Sequence, residues 1–323
     1  MARGDLVEVP LAGVDGEETL PFPIFIQPNP DRDPVLFSEE GARLGETRLE
    51  RLHSFGLATF FVPMDRLGAY YSFLEESLDQ TLEDPSVPIE EKCKILHQVV
   101  THAARSFLKT PPDKKRLERM LRLLDSTTRL AYRENGALRH LRRMVEGDPT
   151  LAGHSVAVSL YSLGMGLRLF PEDPTRAGEL TWGAFLHDIG RVPREPGKTD
   201  PLPPGTVLDD VEGRAPDYTH TSYGADLLQR LDLPEGVVRA AGEHHERVDG
   251  TGAPRGLQGG EIHPFAQAVA LANVFDHIRS SHRGFLGIFE TFRILIQSFS
   301  GCFAPSMVEA FLHTFGPDGG SAP

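Results

Sequence analysis

Gly183-Ala-Phe-Leu-His187-Asp188-Ile-Gly-Arg191 and Glu243-His244-His245-Glu-Arg-Val-Asp249-Gly-Thr-Gly252-Ala253-Pro254 bracket the stretch on which the reading of this chain turns. An adjacent His-Asp pair and an adjacent His-His pair are both uncommon by chance. Together with His154 upstream and His220 between them, they account for every histidine from 154 to 245. Imidazole and carboxylate are the preferred ligands of catalytic transition metals. A single histidine facing a core needs no function, because a carbonyl or carboxylate can satisfy it. Five on the inner faces of successive helices are different: without an anion or a cation such a cluster is partly unsatisfied and costly to bury.

Working outward, the region around these motifs reads as helix. His154 opens an almost wholly apolar segment (Val156, Val158, Leu160, Leu163, Met165, Leu167), which implies burial on most sides. Pro171 and Pro174 separate it from a helix expected over Arg176 to Ile189, where His187, Asp188 and Arg191 fall on one side. Val192 to Tyr218 is rich in Pro, Gly and Asp and is expected to be a loop, either a lid over the site or a plain surface connection. Helices are expected from His220 to Leu231, Glu235 to Arg247 (ended by Gly250, Gly252 and Gly256), Pro264 to Ile278, Phe285 to Phe299 and Ala304 to Phe315, with a frayed tail from Gly316.

The N-terminal part reads differently. Asp5 to Val9 and Thr19 to Ile26 look like strands, Glu46 to Phe55 like a short helix ending at Gly56, and Leu57 to Val62 like a further strand. Helical period takes over near Met64, with Tyr70, Phe73, Leu74 and Leu78 on one face. Helices are expected from Ile89 to Leu108 and from Lys114 to Val145, and the basic run of the latter (Lys114, Lys115, Arg116, Arg119, Arg122) reads as a solvated face. His53 stands alone and reads as structural. The expected architecture is mainly α: a helical bundle over 126–323 preceded by a small α/β module over 1–125 that can serve regulation.

Composition bounds the partners. The net charge of −13 argues against a nucleic-acid polymer, so a phosphorylated substrate needs local arginines. Arg191, one turn from His187, suits bidentate contact with a phosphate oxygen, with Arg247 and Arg255 as weaker candidates. Cys93 and Cys302 suggest no disulfide framework. The first residues lack an apolar signal core and no uncharged run approaches the ~18 residues needed to cross a bilayer, so a cytoplasmic protein is expected. Asp188 can bridge two cations through its two oxygens. Two metals about 3.5–4 Å apart activate the water between them for attack on phosphorus, so no Ser or Cys nucleophile is required.

The order His154, His187-Asp188-Ile-Gly-Arg191, His220, His244-His245-Glu-x-x-Asp249-Gly-x-Gly252-x-Pro254 resembles the HD-GYP subgroup of the HD phosphohydrolase superfamily, over about residues 145 to 285. The N-terminal part resembles the partly α/β module that often precedes this domain. The resemblance implies an HD-type all-helical bundle with a centre of two or three divalent metals, often iron or manganese. It also implies hydrolysis of cyclic di-GMP, to the linear dinucleotide or on to GMP. By position the metal ligands are His154, His187, Asp188, His220, His244 and His245, with Asn273 at the last ligand position. Asp188 and Arg191 are expected in catalysis, and Arg191, Arg247, Arg255 and Arg283 around the substrate.

The chain departs from the pattern at several places. Ala253 stands where the family has Tyr, Arg191 where it has Lys, and Asn273 where it has Asp, with Asp276 or His277 one turn on as a substitute. His282 and then Arg283 occupy the region of the expected arginine. Thr150 replaces the Glu used by three-metal members, so two metals at most are expected. Two rival readings remain: a degenerate member that binds metal or nucleotide and signals through protein contacts, and a phosphohydrolase for another nucleotide. Protein partners in cyclic di-GMP signalling and a homodimer are compatible with this reading, and no membrane association is expected.

Overall fold

The computed structural model describes residues 5–316 except 12, 15–17, 30, 55, 146–149, 193–217 and 281–285. The loop expected as either a lid or a plain surface connection, apart from its end residues Val192 and Tyr218, and the positions of His282 and Arg283 therefore lie outside the described residues, as does the tail beyond 316. The chain is mainly helical with one small antiparallel sheet, and it divides into two compact units, Met1–His102 and Ala103–Pro323.

In the first unit β1 (Leu6–Pro10), β2 (Ile24–Ile26), β3 (Val35–Ser38) and β4 (Thr59–Pro63) form a sheet in the order β1-β4-β2-β3. Leu6 pairs with Pro63 and Pro10 with Thr59, while Phe25 meets Phe61 on the other side of β4. β3, which strand propensity alone does not reveal, pairs with β2 through a register shift between Ile24 and Phe25. α1 (Glu46–Ser54) lies between β3 and β4 in sequence, and α2 (Leu67–Glu76) and α3 (Leu78–Glu83) follow β4. Phe22 packs edge-on against Tyr70 and Phe73 at ring separations of 5.5 and 5.7 Å, making the aromatic centre of this unit. The Tyr70 hydroxyl donates to the Pro10 carbonyl at 3.1 Å, so the one polar atom of that buried ring is satisfied. α4 (Ile89–Phe107) carries the chain across the division.

The second unit is a bundle. The single helix expected over Lys114 to Val145 is two: α5 (Lys114–Arg133) and α6 (Ala137–Met144), broken where Gly136 takes φ 87°. A left-handed residue cannot continue an α-helix, and only glycine adopts that conformation freely. α5 packs against α8 and thus belongs with the bundle, whereas the boundary expected from composition fell at 125/126.

α7 (Leu151–Leu169) is the axis. Thr150 caps it by accepting from Gly153 N at 3.1 Å, and every residue from Ala152 to Leu167 is buried. α8 (Pro174–Leu186) packs along it, with Pro174 in its first turn and Asp173 as cap. A short 3₁₀ turn, Ile189–Arg191, follows. Then come α9 (Thr219–Arg230), α10 (Glu235–Glu243), α11 (Pro264–Ser280), α12 (Ile288–Ser298) and α13 (Pro305–His313). Tyr161, Phe275, Phe292, Phe311 and Phe315 form the aromatic core between α7, α11, α12 and α13. None of the helices among the described residues is long and apolar enough to cross a membrane.

Candidate metal centre

Two helices end at the centre, and their ends aim the imidazoles. α8 stops at Leu186 and α10 at Glu243, three and four residues earlier than helical period suggested, so His187 and His244 are the C-cap residues. The last carbonyls of a helix lack intrahelical partners. Here Ala184 O accepts from His187 Nδ1 at 2.7 Å and Ala241 O accepts from His244 Nδ1 at 2.9 Å. A carbonyl can only accept, so each Nδ1 carries the proton and each Nε2 of the neutral ring is a lone pair. The negative ends of both helix dipoles also favour positive charge at this spot.

Glycines set how closely these elements approach. A Cβ on Gly183 would lie 3.0 Å from that of Ala240, which puts α8 against α10. A Cβ on Gly190 would lie 2.0 Å from His220 O, and Gly224 sits opposite. This backbone contact presses the 189–191 turn onto α9 and carries His220 to Asp188.

The convergence is tight. His154 Nε2 lies 3.2 Å from His187 Nε2. His220 Nε2 lies 3.2 Å from His245 Nε2 and 3.4 Å from His244 Nε2. Asp188 stands between the two groups. Its Oδ2 is 3.6 Å from His187 Nε2, while its Oδ1 is 3.2 Å from His220 Nε2 and 3.6 Å from His244 Nε2. The donor atoms of His154, His187 and Asp188 lie within 4.8 Å of one another, as do those of His220, His244 and His245, and all six residues are buried.

Electrostatics keep most of these rings in the ligand form. Burial, reinforced by neighbouring imidazoles, pushes His187 and His245 well below the ordinary histidine pKa. Burial likewise lowers His244 against the opposing pull of Asp188. For His154 burial also works against charge, but Asp276 outweighs it and raises the pKa. Burial alone would raise the Asp188 pKa; the guanidinium of Arg191 and the surrounding imidazoles instead hold it well below the usual carboxylate range.

The residues fit a divalent cation. His187 and His244 each present an Nε2 lone pair within a buried cluster of imidazoles and one carboxylate, a donor set that suits a divalent cation. Asn273 Oδ1 is buried without a hydrogen-bond partner among the described residues, which suits a carbonyl-type ligand. The two substitutes considered for Asn273 both lie beside His154. Asp276 Oδ2 accepts from His154 Nδ1 at 2.7 Å, and the His277 ring lies over His154 with centroids 4.6 Å apart. Thr150, committed as the α7 cap, does not extend the donor set.

The arginines separate. Arg191 is at the centre: its Nε stands 2.8 Å from Asp188 Oδ1 as an ion pair without hydrogen-bond alignment, and one terminal nitrogen is 3.2 Å from His220 Nε2. Arg247 is buried, donates to the carbonyls of His244 and Glu246, and lies over Phe303. Arg255 pairs with Glu243 at 2.5 Å. The charge of Arg247 is near enough to His245 to help lower its pKa.

Two residues that sequence reasoning missed hold the frame. The buried Glu246 carboxylate accepts from Arg255 N at 2.8 Å and Leu257 N at 2.9 Å. Ala253 N in turn donates to His245 O at 3.1 Å, so the glycine-rich loop is laced back onto the His-His pair. Gly252 has no room for a side chain: a Cβ would lie 2.2 Å from Arg247 N. The buried Glu243 carboxylate collects Arg239, Arg255 and the His263 amide, tying α10 to the start of α11. The only sequence cue was the i, i+4 spacing of Arg239 and Glu243.

The sequence profile described as the HD domain matches residues 139–287, which hold every one of these groups. Those residues carry an HD domain. Over 199 residues it is 31% identical to the cyclic di-GMP phosphodiesterase PA4108 of Pseudomonas aeruginosa, covering 60% of this chain and 46% of that one. Over 129 residues it is 37% identical to the 3'3'-cGAMP-specific phosphodiesterase 3 of Vibrio cholerae, covering 40% of this chain and 27% of that one. The chain therefore spans less than half the length of those relatives. In fold it is similar to Bd1817, an HDG"Y"P protein from Bdellovibrio bacteriovorus, with a TM-score of 0.66 at 21% identity over 95% of this chain and 98% of that one.

Proposed function

We propose that this chain is a metal-dependent phosphodiesterase that hydrolyses cyclic dinucleotides, cyclic di-GMP first among them, at a dinuclear centre of iron or manganese. The observation that carries the proposal is the position of Asp188, whose two oxygens face two separate groups of imidazole nitrogens. His154 and His187 would hold one cation, and His220, His244 and His245 the other, with Asn273 as a neutral additional ligand. The names of the relatives, which act on cyclic di-GMP or 3'3'-cGAMP, support the substrate class. When bound, such metals supply Lewis acidity and an activated water for attack on phosphorus. The protein's own part is to aim the rings from helix ends, exclude bulk water, and keep the Arg191 guanidinium beside the phosphate position. Arg283 would be a further contact to substrate. The N-terminal α/β module takes the regulatory role.

The test uses protein purified without oxygen and loaded with Fe or Mn, with occupancy checked by metal analysis. Cleavage of cyclic di-GMP or 3'3'-cGAMP is expected, and His187→Ala should abolish it. Failure to cleave either compound with metal present defeats the substrate assignment.

A second reading, a metal- or nucleotide-binding signalling module without turnover, is favoured by one observation. Asn273 brings no charge to a position that would otherwise neutralise part of a second cation. Asn273→Asp separates the two. Turnover in the natural protein that rises modestly in the variant supports the enzyme, whereas turnover in the variant alone supports the module.

A further inference from the structure

The first unit contains a second concavity unrelated to the histidines. Between β2, β3 and α1 lies a cavity of about 450 Å³, whose walls include Ile26, Phe37, Leu52 and Leu57 and whose lining also includes Arg48 and Arg51. Protein interiors rarely leave voids much larger than a water molecule, and ligand pockets fall at roughly 300–1,000 Å³. This cavity is in the second range.

The two arginines give it a chemical preference. Arg48 and Arg51 are three residues apart on α1, so they share a face of that helix. Both are exposed, and among the described residues neither guanidinium makes an ion pair or a side-chain hydrogen bond. In a chain with 46 acidic and 33 basic residues, a pair of cations left without carboxylates beside an apolar hollow is notable. Elsewhere in the same unit Arg66 is paired with Glu40 at 3.0 Å.

We propose that this cavity binds a small amphipathic carboxylate, its apolar body against Ile26, Phe37, Leu52 and Leu57 and its carboxylate on Arg48 and Arg51. Burial of an apolar body is worth about 25 cal/mol per Å² removed from water. A guanidinium offers a planar fork that fits a carboxylate on two oxygens. Neither element suffices alone: a neutral apolar molecule leaves the arginines unused, and a bare anion leaves the walls in water. The pairing selects for molecules that carry both ends, such as medium-chain fatty acids or aryl carboxylates. The site does not depend on the phosphodiesterase reading, and its test needs no turnover.

Octanoate titrated calorimetrically into the full chain is the probe, with 1-octanol as the neutral counterpart and Arg48→Gln/Arg51→Gln as the variant. Both arginines are at the surface, so the variant should melt like the parent. Saturable binding of octanoate is expected, weakened about tenfold or more in the variant, in line with loss of a charge-assisted pair. 1-Octanol should bind more weakly than octanoate by a similar factor. No saturable octanoate binding overturns the proposal. So does octanoate binding that the double substitution leaves unchanged, or octanol binding as tight as octanoate.

Discussion

His154 donates from Nδ1 to Oδ2 of Asp276 across 2.7 Å, while its Nε2 faces His187. The carboxylate fixes the tautomer and raises the basicity of the ring, as partners behind metal-bound histidines do. Asp276 thereby acts on the centre through His154 rather than as a ligand of its own. Asp276→Ala should weaken metal binding by about 10–100-fold, measured by titration of metal-free protein. Asp276→Asn, which keeps an acceptor but not the charge, should fall between. Unchanged affinity in both variants would show that His154 holds no metal.

Acid should destabilise the metal-free protein. His187, His244, His245 and His277 all have pKa values lowered on folding. Their contribution is complete above the unfolded value of about 6.5 and lost as pH falls below it, because the unfolded chain then binds more protons. His154, whose pKa is raised, has the opposite sign: its contribution is present below about 6.5 and lost as pH rises through its folded value. Four rings outweigh one. Melting temperatures recorded from about pH 8 down to about pH 5.5 should therefore fall, and a flat or rising trend contradicts the assignment of buried neutral rings.

Gly190→Ala should be severe, since the added methyl would meet the carbonyl of His220 at 2.0 Å. Overpacking of this kind costs about 1–3 kcal/mol or more, read by urea unfolding, and metal affinity should drop with it as His220 is driven from Asp188. Gly68→Ala, on α2 with open space around it, is the control and should be neutral or stabilise by up to about 1 kcal/mol.

Glu246→Ala should loosen the loop behind the His-His pair. It removes two charge-assisted acceptors of main-chain N–H groups, at a cost of at least about 2–3 kcal/mol. Glu246→Gln retains one acceptor oxygen and should lose less. The accompanying readout is metal affinity, which a purely remote stability effect would leave unchanged.

How much of this was legible beforehand depended on the kind of signal. The apolar run from Val156 to Leu167 announced a helix buried on most sides, and every residue from Ala152 to Leu167 is buried. The order and spacing of His154, His187, Asp188, His220, His244 and His245 implied convergence, and those side chains do meet. Helix ends were less readable. His187 and His244 sit at C-caps rather than within helices, because capping depends on which carbonyl an imidazole can reach, and periodicity carries no such information. β3 was missed because Val35–Ser38 is four residues long and owes its form to β2. Glu243 and Glu246 carried no sequence signal of their role, because only tertiary packing encloses them with main-chain amides and arginines. Arg247 and Arg255 suit phosphate by type, and only the folded chain shows that Arg247 also lies over Phe303 and Arg255 on Glu243.

α9 has two characters that can be put to use. Its inner side holds His220 against Asp188, while Ser222 and Asp226, within two turns, are open to solvent. A spectroscopic label attached at either outer position would report on the chemistry inside from a distance of one helix diameter, without touching the packed interior. The molecule thus offers a window onto its own centre.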